Sequence, residues 1–140
     1  MDLFAKLRRL KVLLVDDDEW IRHSMYLLFE AEGCHLLAVA TGEQAMEELS
    51  QEDYDIIIID YRLPRMDGLE VLKLIQQTHP RTMKIFTTAY RSEEVIAEAK
   101  RAGIDDFIEK PFTAGTIEAS LCRLISSREH KEEPECTRDA

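Results

Sequence analysis

Four consecutive isoleucines, Ile56–Ile59, followed directly by Asp60, constrain the fold of this chain more than any other segment. Branched apolar side chains at every position suit a strand that is covered on both faces, which is the usual environment of a strand in a parallel sheet. Parallel neighbours must be joined by crossover connections, usually helices. The segment therefore predicts an α/β protein whose sheet lies between two layers of helices.

The rest of the chain alternates short apolar runs with helical patterns. Asp18 and Ser92 are typical helix N-caps, and Thr41 with Gln44 matches a capping box. Five such units predict a doubly wound, flavodoxin-like fold with a five-stranded parallel sheet in the order 2-1-3-4-5 and helices on both faces. The predicted strands are 11–15, 35–40, 55–59, 82–87 and 104–109.

Composition indicates where the domain begins and ends, and it argues against some classes of function. We expect a domain over residues 11–126, a short N-terminal extension over 1–10, and a charged, disordered C-terminal tail over 127–140. The net charge of −10 argues against direct nucleic-acid binding and against adhesion to anionic membranes. The three cysteines have no pattern of a disulfide framework or zinc site, which favours reduced thiols and a cytoplasmic location.

Carboxylates follow two strands that flank the point where the strand order reverses. Asp16 and Asp17 follow the first strand, and Asp60 follows the third. Ligands of open α/β sheets bind at this point, beyond the carboxyl ends of the strands. Carboxylates held so close repel one another unless a cation neutralises them. We therefore expect Mg²⁺, which binds oxygen ligands and leaves positions for phosphate oxygens.

The two remaining strands place further polar groups at the same edge. Thr88 follows the fourth strand and Lys110 the fifth. An ammonium and a hydroxyl beside a carboxylate cluster are complementary to a phosphoryl group, which a carboxylate can attack. Taken singly, Thr88 is an ordinary strand residue and Lys110 an ordinary solvated strand end. Together with the acids they predict a phosphoacceptor site.

The motifs at these strand ends resemble the receiver domain of two-component response regulators, over about residues 11–126. The resemblance is to stand-alone receivers of the chemotaxis-regulator type. It depends on four short motifs in the family's order: Val12–Asp18, Asp60–Gly68, Thr88–Ala89 and Lys110–Phe112.

The resemblance implies a signalling phosphoacceptor rather than an enzyme that acts on other substrates. Asp60 would accept a phosphoryl group from a partner histidine kinase, phosphotransfer protein or small phosphodonor. Asp16 and Asp17 would bind Mg²⁺ together with Asp60 and the backbone carbonyl of Arg62. Thr88 and Lys110 would hold the phosphoryl oxygens.

The resemblance also implies a switch and a partner surface. Thr88 and Phe107 would move together, although spacing alone favours Phe107 as a core residue. The face formed by the fourth helix, fifth strand and fifth helix would then bind a downstream protein. Such a receiver would be a monomer or weak dimer, with a cis Lys110–Pro111 bond.

Two residues have open interpretations at this stage. Ile96 lies beside the inner stripe of the fourth predicted helix, and it would be a partner contact only if it were exposed. Trp20 begins the first helix close to the acid pair, so it is equally suited to the core and to a kinase-docking surface.

Three other classes of protein share parts of the pattern. A phosphatase of the haloacid dehalogenase type would use Asp16 as nucleophile with Asp18, but Trp20 stands where that family has Thr or Val. An EF-hand beginning at Asp16 would have Trp20 and Ile21 where an oxygen ligand and a glycine are needed. A phosphorylation-independent interaction module on the same fold remains a further alternative.

Overall fold

The computed structural model describes residues 2–132 and contains, within that range, one sheet of five strands. Helices separate the strands along the chain, as the alternation of apolar runs predicts. The strands are Lys11–Val15 (β1), His35–Val39 (β2), Ile56–Asp60 (β3), Met83–Thr88 (β4) and Asp106–Glu109 (β5).

One helix precedes β1, and one helix follows each strand. Because of the extra first helix, the fourth and fifth helices expected from the sequence are α5 and α6 here. No helix within residues 2–132 is long and apolar enough to cross a membrane. The helices are Leu3–Leu7 (α1), Glu19–Ala31 (α2), Gly42–Gln51 (α3), Gly68–Thr78 (α4), Glu93–Arg101 (α5) and Ala114–Glu132 (α6).

The sheet has the strand order β2-β1-β3-β4-β5, and every neighbouring pair is parallel. This confirms the predicted doubly wound, flavodoxin-like topology. Val15 pairs with Ile59 in the register of β1 and β3. Asp16 and Asp60, which directly follow these two residues, are therefore neighbours at the carboxyl edge of the sheet, where the strand order reverses.

Two apolar layers cover the sheet, with α1, α2 and α6 on one face and α3, α4 and α5 on the other. Ile56 and Ile58 belong to the first layer, and Ile57 and Ile59 to the second. All four side chains are completely buried. Successive strand residues point to opposite faces, so a strand between two helical layers needs an apolar residue at every position.

The helix starts follow the predicted capping residues. The Asp18 carboxylate accepts hydrogen bonds from the backbone N–H groups of Trp20 and Ile21, and Asp18 thereby caps α2. Thr41 and Gln44 form the expected reciprocal capping box at α3. These bonds satisfy N–H groups that have no partner within the helix, which is typically worth about 1 kcal/mol for each cap.

Two predicted boundaries differ from the structure. β5 begins at Asp106 rather than at residue 104, because the Ile104 N–H donates to the carbonyl of Ala99 and completes the end of α5. The final helix was predicted to end at about residue 126, and it continues to Glu132. The predicted tail therefore starts too early, and residues 133–140 lie outside the described residues.

The N-terminal extension contains a helix that the sequence did not predict. Asp2 caps α1 by accepting a hydrogen bond from the Ala5 N–H. Leu3 and Leu7 are buried in the apolar layer shared with α2 and α6, and Lys6 forms an ion pair with Glu129 of α6. A helix this short is unstable alone. Packing against α6 is what stabilises it.

Candidate functional site

Three carboxylates meet at the carboxyl edge of the sheet, in the crevice between β1 and β3. One oxygen from each of Asp16, Asp17 and Asp60 lies within 4.8 Å of the others. Asp16 is 1% exposed and Asp60 is 6% exposed, whereas Asp17 is open to solvent. The juxtaposition predicted from strand order is therefore present.

The backbone around Asp16 fixes the orientation of its carboxylate. Oδ1 accepts a hydrogen bond from the Asp18 N–H at 2.9 Å. The Asp16 carbonyl accepts one from the Arg22 guanidinium at 2.8 Å, and its N–H donates to the carbonyl of Val39. These contacts leave Oδ2 directed toward the other charged groups of the site.

Lys110 supplies the positive charge of the site. Its Nζ lies 2.8 Å from Asp16 Oδ2 and 3.3 Å from Asp60 Oδ2. Its backbone N–H donates to the carbonyl of Thr88, and the bond that links it to Pro111 is cis, as the resemblance implied. Burial alone would lower the pKa of Lys110, but the hydrogen bond and charge of Asp16 and the charge of Asp60 outweigh burial and raise it.

The site carries more negative than positive charge. Burial raises the pKa of Asp60 to about 6, with the Asp16 charge adding to the rise and Lys110 opposing it. Among the described residues, the three carboxylates of this cluster lie around one ammonium group. Clustered oxygen ligands with excess negative charge fit a hard divalent cation such as Mg²⁺.

Asp60→Asn should stabilise the metal-free protein at about pH 7 by roughly 1–3 kcal/mol. The pKa of Asp60 is about 6 in the folded protein and 3.8 as an ordinary carboxyl, so its contribution to stability is full below 3.8 and is lost as the pH rises through 6. Denaturant unfolding of both proteins across this range measures the difference. The advantage of the variant should vanish near pH 4; an equal advantage there would contradict ionisation as its cause.

Thr88 lies at the site but its hydroxyl bonds to its own loop. Thr88 is buried, and its Oγ1 donates to the Tyr90 carbonyl at 3.1 Å and accepts from the Tyr90 N–H at 3.0 Å. The Arg62 guanidinium stacks on the Tyr90 ring, 4.5 Å from its centroid. This contact joins the loops after β3 and β4. The sequence does not predict this stacking. The one available signal is position, because Arg62 lies two residues after Asp60 and Tyr90 lies two residues after Thr88.

The predicted switch residue Phe107 lies next to the core. It is partly buried against the apolar layer of α4 and α5, with its ring centroid 6.4 Å from that of Phe86. Ile96 is buried, so it is not the exposed partner contact that the sequence left open.

Trp20 belongs to the surface, because 75% of the residue is exposed. It borders a cleft of about 660 Å³ between α2 and the segment after β5, whose lining includes Ile21, Leu28, Lys110 and Phe112. The cleft therefore places exposed apolar surface directly beside the charged site.

Comparison with known proteins identifies the family of the chain. The response regulator receiver domain family matches residues 12–121. The chain belongs to this family. A haloacid dehalogenase phosphatase would need Asp16 as its nucleophile, whereas in this receiver domain Asp16 is buried and paired with Lys110.

Curated relatives of this receiver domain are longer than the chain. The transcriptional regulatory protein CpxR of Escherichia coli is 34% identical over 129 residues, which cover 92% of this chain and 54% of CpxR. A cyclic di-GMP phosphodiesterase of Thermotoga maritima is 31% identical over 117 residues, 84% of this chain and 31% of the relative. The chain thus spans about a third to about half of these proteins.

Solved receiver domains match along almost their whole length. A CheY-like receiver domain protein from Methanospirillum hungatei has a TM-score of 0.82 and 29% identity, covering 87% of this chain and 98% of its own. The receiver domain of an HD domain-containing protein from Pseudomonas fluorescens has a TM-score of 0.81 and 30% identity. The match covers 89% of this chain and 100% of that domain. These structures share the fold described above.

Proposed function

We propose that this receiver domain accepts a phosphoryl group on Asp60 from a histidine kinase or phosphotransfer protein, in a reaction that requires Mg²⁺. Phosphorylation then changes the face formed by α5, β5 and α6, which binds a downstream protein. The observation that carries the proposal is the grouping of Asp16, Asp17 and Asp60 within 4.8 Å, with the Lys110 ammonium between two of them.

The side chains of the site are suited to separate parts of phosphoryl transfer. A carboxylate oxygen of Asp60 attacks phosphorus, an O–P bond forms, and the N–P bond to the donor imidazole breaks with its electron pair leaving on nitrogen. Lys110 neutralises charge on the transferred oxygens. Asp16, Asp17 and Asp60, with the Arg62 carbonyl, would hold Mg²⁺, which supplies further neutralisation of the phosphoryl oxygens when bound.

The hydrogen bonds of Thr88 suggest how phosphorylation is sensed. In this structure its hydroxyl is bonded to the backbone of Tyr90. A phosphoryl group on Asp60 offers a charged acceptor, which forms stronger hydrogen bonds than a neutral carbonyl. Turning Thr88 toward that acceptor releases the Tyr90 loop and frees space for Phe107 to move inward. The change biases α5, β5 and α6 toward a second packing.

The cleft beside Trp20 is the proposed docking surface for the kinase. Its apolar lining adjoins Lys110, so a helix of the partner could place its phosphohistidine close to Asp60. Exposed aromatic residues are frequent anchors of protein interfaces. Trp20 is the strongest candidate for such an anchor in this cleft.

The same proposal includes the cellular location, the type of partner and the oligomeric state of the receiver. Cys34 and Cys122 are free thiols, in keeping with the cytoplasm. The net charge of −10 favours protein partners over nucleic acid or an anionic membrane, and we expect the receiver unit to be a monomer or weak dimer. It assists only its own phosphorylation and dephosphorylation and has no separate substrate.

Removal of Mg²⁺ tests the proposed function. The protein should gain the mass of one phosphoryl group with acetyl phosphate and Mg²⁺, and the gain should disappear when EDTA replaces the metal. Intact-mass spectrometry reads both states directly. Beryllofluoride, a stable phosphoryl mimic, separates slow loading or rapid hydrolysis from a failure of the site. If acetyl phosphate adds no phosphoryl group and beryllofluoride does not bind, both with Mg²⁺ present, the chain is a phosphorylation-independent interaction module.

A further inference from the structure

Lys84 is a buried charged residue that the proposed phosphorylation chemistry does not use. It is the second residue of β4, only 2% exposed, and its neighbours Met83 and Ile85 are buried apolar residues. Its Nζ donates to the Thr82 carbonyl at 2.8 Å. No carboxylate of the described residues lies within ion-pair distance of Nζ, and an ammonium group has three N–H donors.

This arrangement is costly without a ligand. A buried ammonium destabilises the folded state unless it is paired and its donors are satisfied. One neutral carbonyl satisfies one donor. Burial accordingly lowers the pKa of Lys84, and the Asp105 charge opposes that change only in part.

A cavity of about 380 Å³ adjoins Lys84 at the edge of the sheet opposite to Asp60. Three cationic residues border it, Lys84, Arg81 and Arg128, together with Asp105 as an acidic residue. The Arg128 guanidinium also donates to the Arg81 carbonyl at 2.6 Å and lies 4.0 Å from the Asp55 carboxylate, so Lys84 is the main charged group of the cavity. Asp105 Oδ2 already accepts the Lys84 backbone N–H at 2.8 Å. The cavity is thus a locally cationic region in a chain of net charge −10. Its volume falls within the usual range of small-molecule sites.

We propose that this cavity binds a small anion bearing a phosphate or carboxylate group, with Lys84 as its buried charged donor. The ligand oxygens accept from the remaining N–H groups of Lys84, and Arg81 adds favourable charge at the wall. The amide of Gln76 adds a neutral polar group. The proposal goes beyond the function proposed for Asp60, and either can fail without the other.

Titration with inorganic phosphate and with acetate, in Mg²⁺-free buffer, tests this site. In ¹⁵N–¹H spectra the amide signals of Gly103 and Asp105 should shift saturably with at least one anion, and the melting temperature should rise with it. A response to phosphate alone indicates that the cavity prefers a phosphate group, and a response to acetate alone indicates that it prefers a carboxylate. A response to both indicates that it accepts either group. Signals of Asp60 and Lys110 are followed separately, because the phosphoacceptor site also attracts phosphate.

Lys84→Met should weaken anion binding by about tenfold or more, because a hydrogen bond to a charged group is lost. The variant should fold, since an apolar side chain of similar length replaces a buried charge. Lys73→Met is the matched control: it makes the same change of charge at an exposed position on α4 outside the cavity, and binding should be unchanged.

A second variant adds charge without touching the core. Ser127 is exposed and borders the cavity, so Ser127→Glu should also weaken binding. The proposal is overturned if neither anion shifts Gly103 and Asp105, if shifts occur only at Asp60 and Lys110, or if Lys84→Met binds as tightly as the wild-type protein.

Discussion

Asp60→Asn should abolish phosphoryl incorporation from acetyl phosphate, the largest functional effect expected for any single substitution in this chain. Asparagine has nearly the same shape as aspartate but lacks the charged oxygen that is proposed to attack phosphorus. The backbone of β3 and the burial of the side chain should be preserved. Intact mass after incubation with acetyl phosphate and Mg²⁺ should show no added phosphoryl group, against one on the wild-type protein.

Asp18→Asn is the matched control for this experiment. It makes the same change of carboxylate to amide at the same edge of the sheet, but Asp18 caps α2 rather than joining the acid cluster. Asparagine is an equally good N-cap. The control protein should therefore be phosphorylated normally. Incorporation into Asp60→Asn would place the phosphoacceptor at another residue.

Gly68→Ala should destabilise the protein and slow its phosphorylation at the same time. A Cβ on Gly68 would lie 2.2 Å from the backbone carbonyl oxygen of Asp60 and 3.0 Å from the Tyr61 Cα. Both are backbone atoms, so the methyl group can be accommodated only if the end of β3 moves away from α4. Overpacking of this kind costs typically 1–3 kcal/mol. The melting temperature should fall by about 5–10 °C.

The displaced backbone belongs to Asp60, the residue proposed to accept the phosphoryl group. We therefore expect the rate of phosphorylation, measured by mass against time, to fall even at temperatures where the variant is fully folded. Gly115→Ala is the control, because a Cβ there meets Thr113 Oγ1 at 3.6 Å, an ordinary contact. It should leave phosphorylation unchanged and should not lower stability, because alanine is a better helix former than glycine in α6. A Gly68→Ala protein with wild-type stability would show that the end of β3 adjusts freely.

The sequence predicts the sheet and the acidic site because both depend on strand order. Ile56–Ile59 requires burial on two faces, and Asp60 directly follows that run. Once the order 2-1-3-4-5 is assumed, Asp16 and Asp60 must be neighbours whatever their side chains contact. The position of Lys110 follows in the same way from the end of β5.

Features that depend on packing between distant segments were not predictable from local patterns. α1 has too few residues for a periodic signal, and its stability comes from Leu3 and Leu7 packing against α6. The burial of Lys84 contradicts the usual preference of lysine for the surface. The stacking of Arg62 on Tyr90 joins two loops whose relative position only the folded chain defines.

The helix that precedes the sheet also affects how this domain can be transplanted or trimmed. The family match begins at residue 12, but the buried apolar layer already includes Leu3 and Leu7. A fusion protein cut at the family boundary would expose the part of this apolar layer that the two leucines cover. Each fully buried leucine contributes roughly 1.5–3 kcal/mol. For chimeric sensors that borrow this receiver, the practical junction therefore lies upstream of α1.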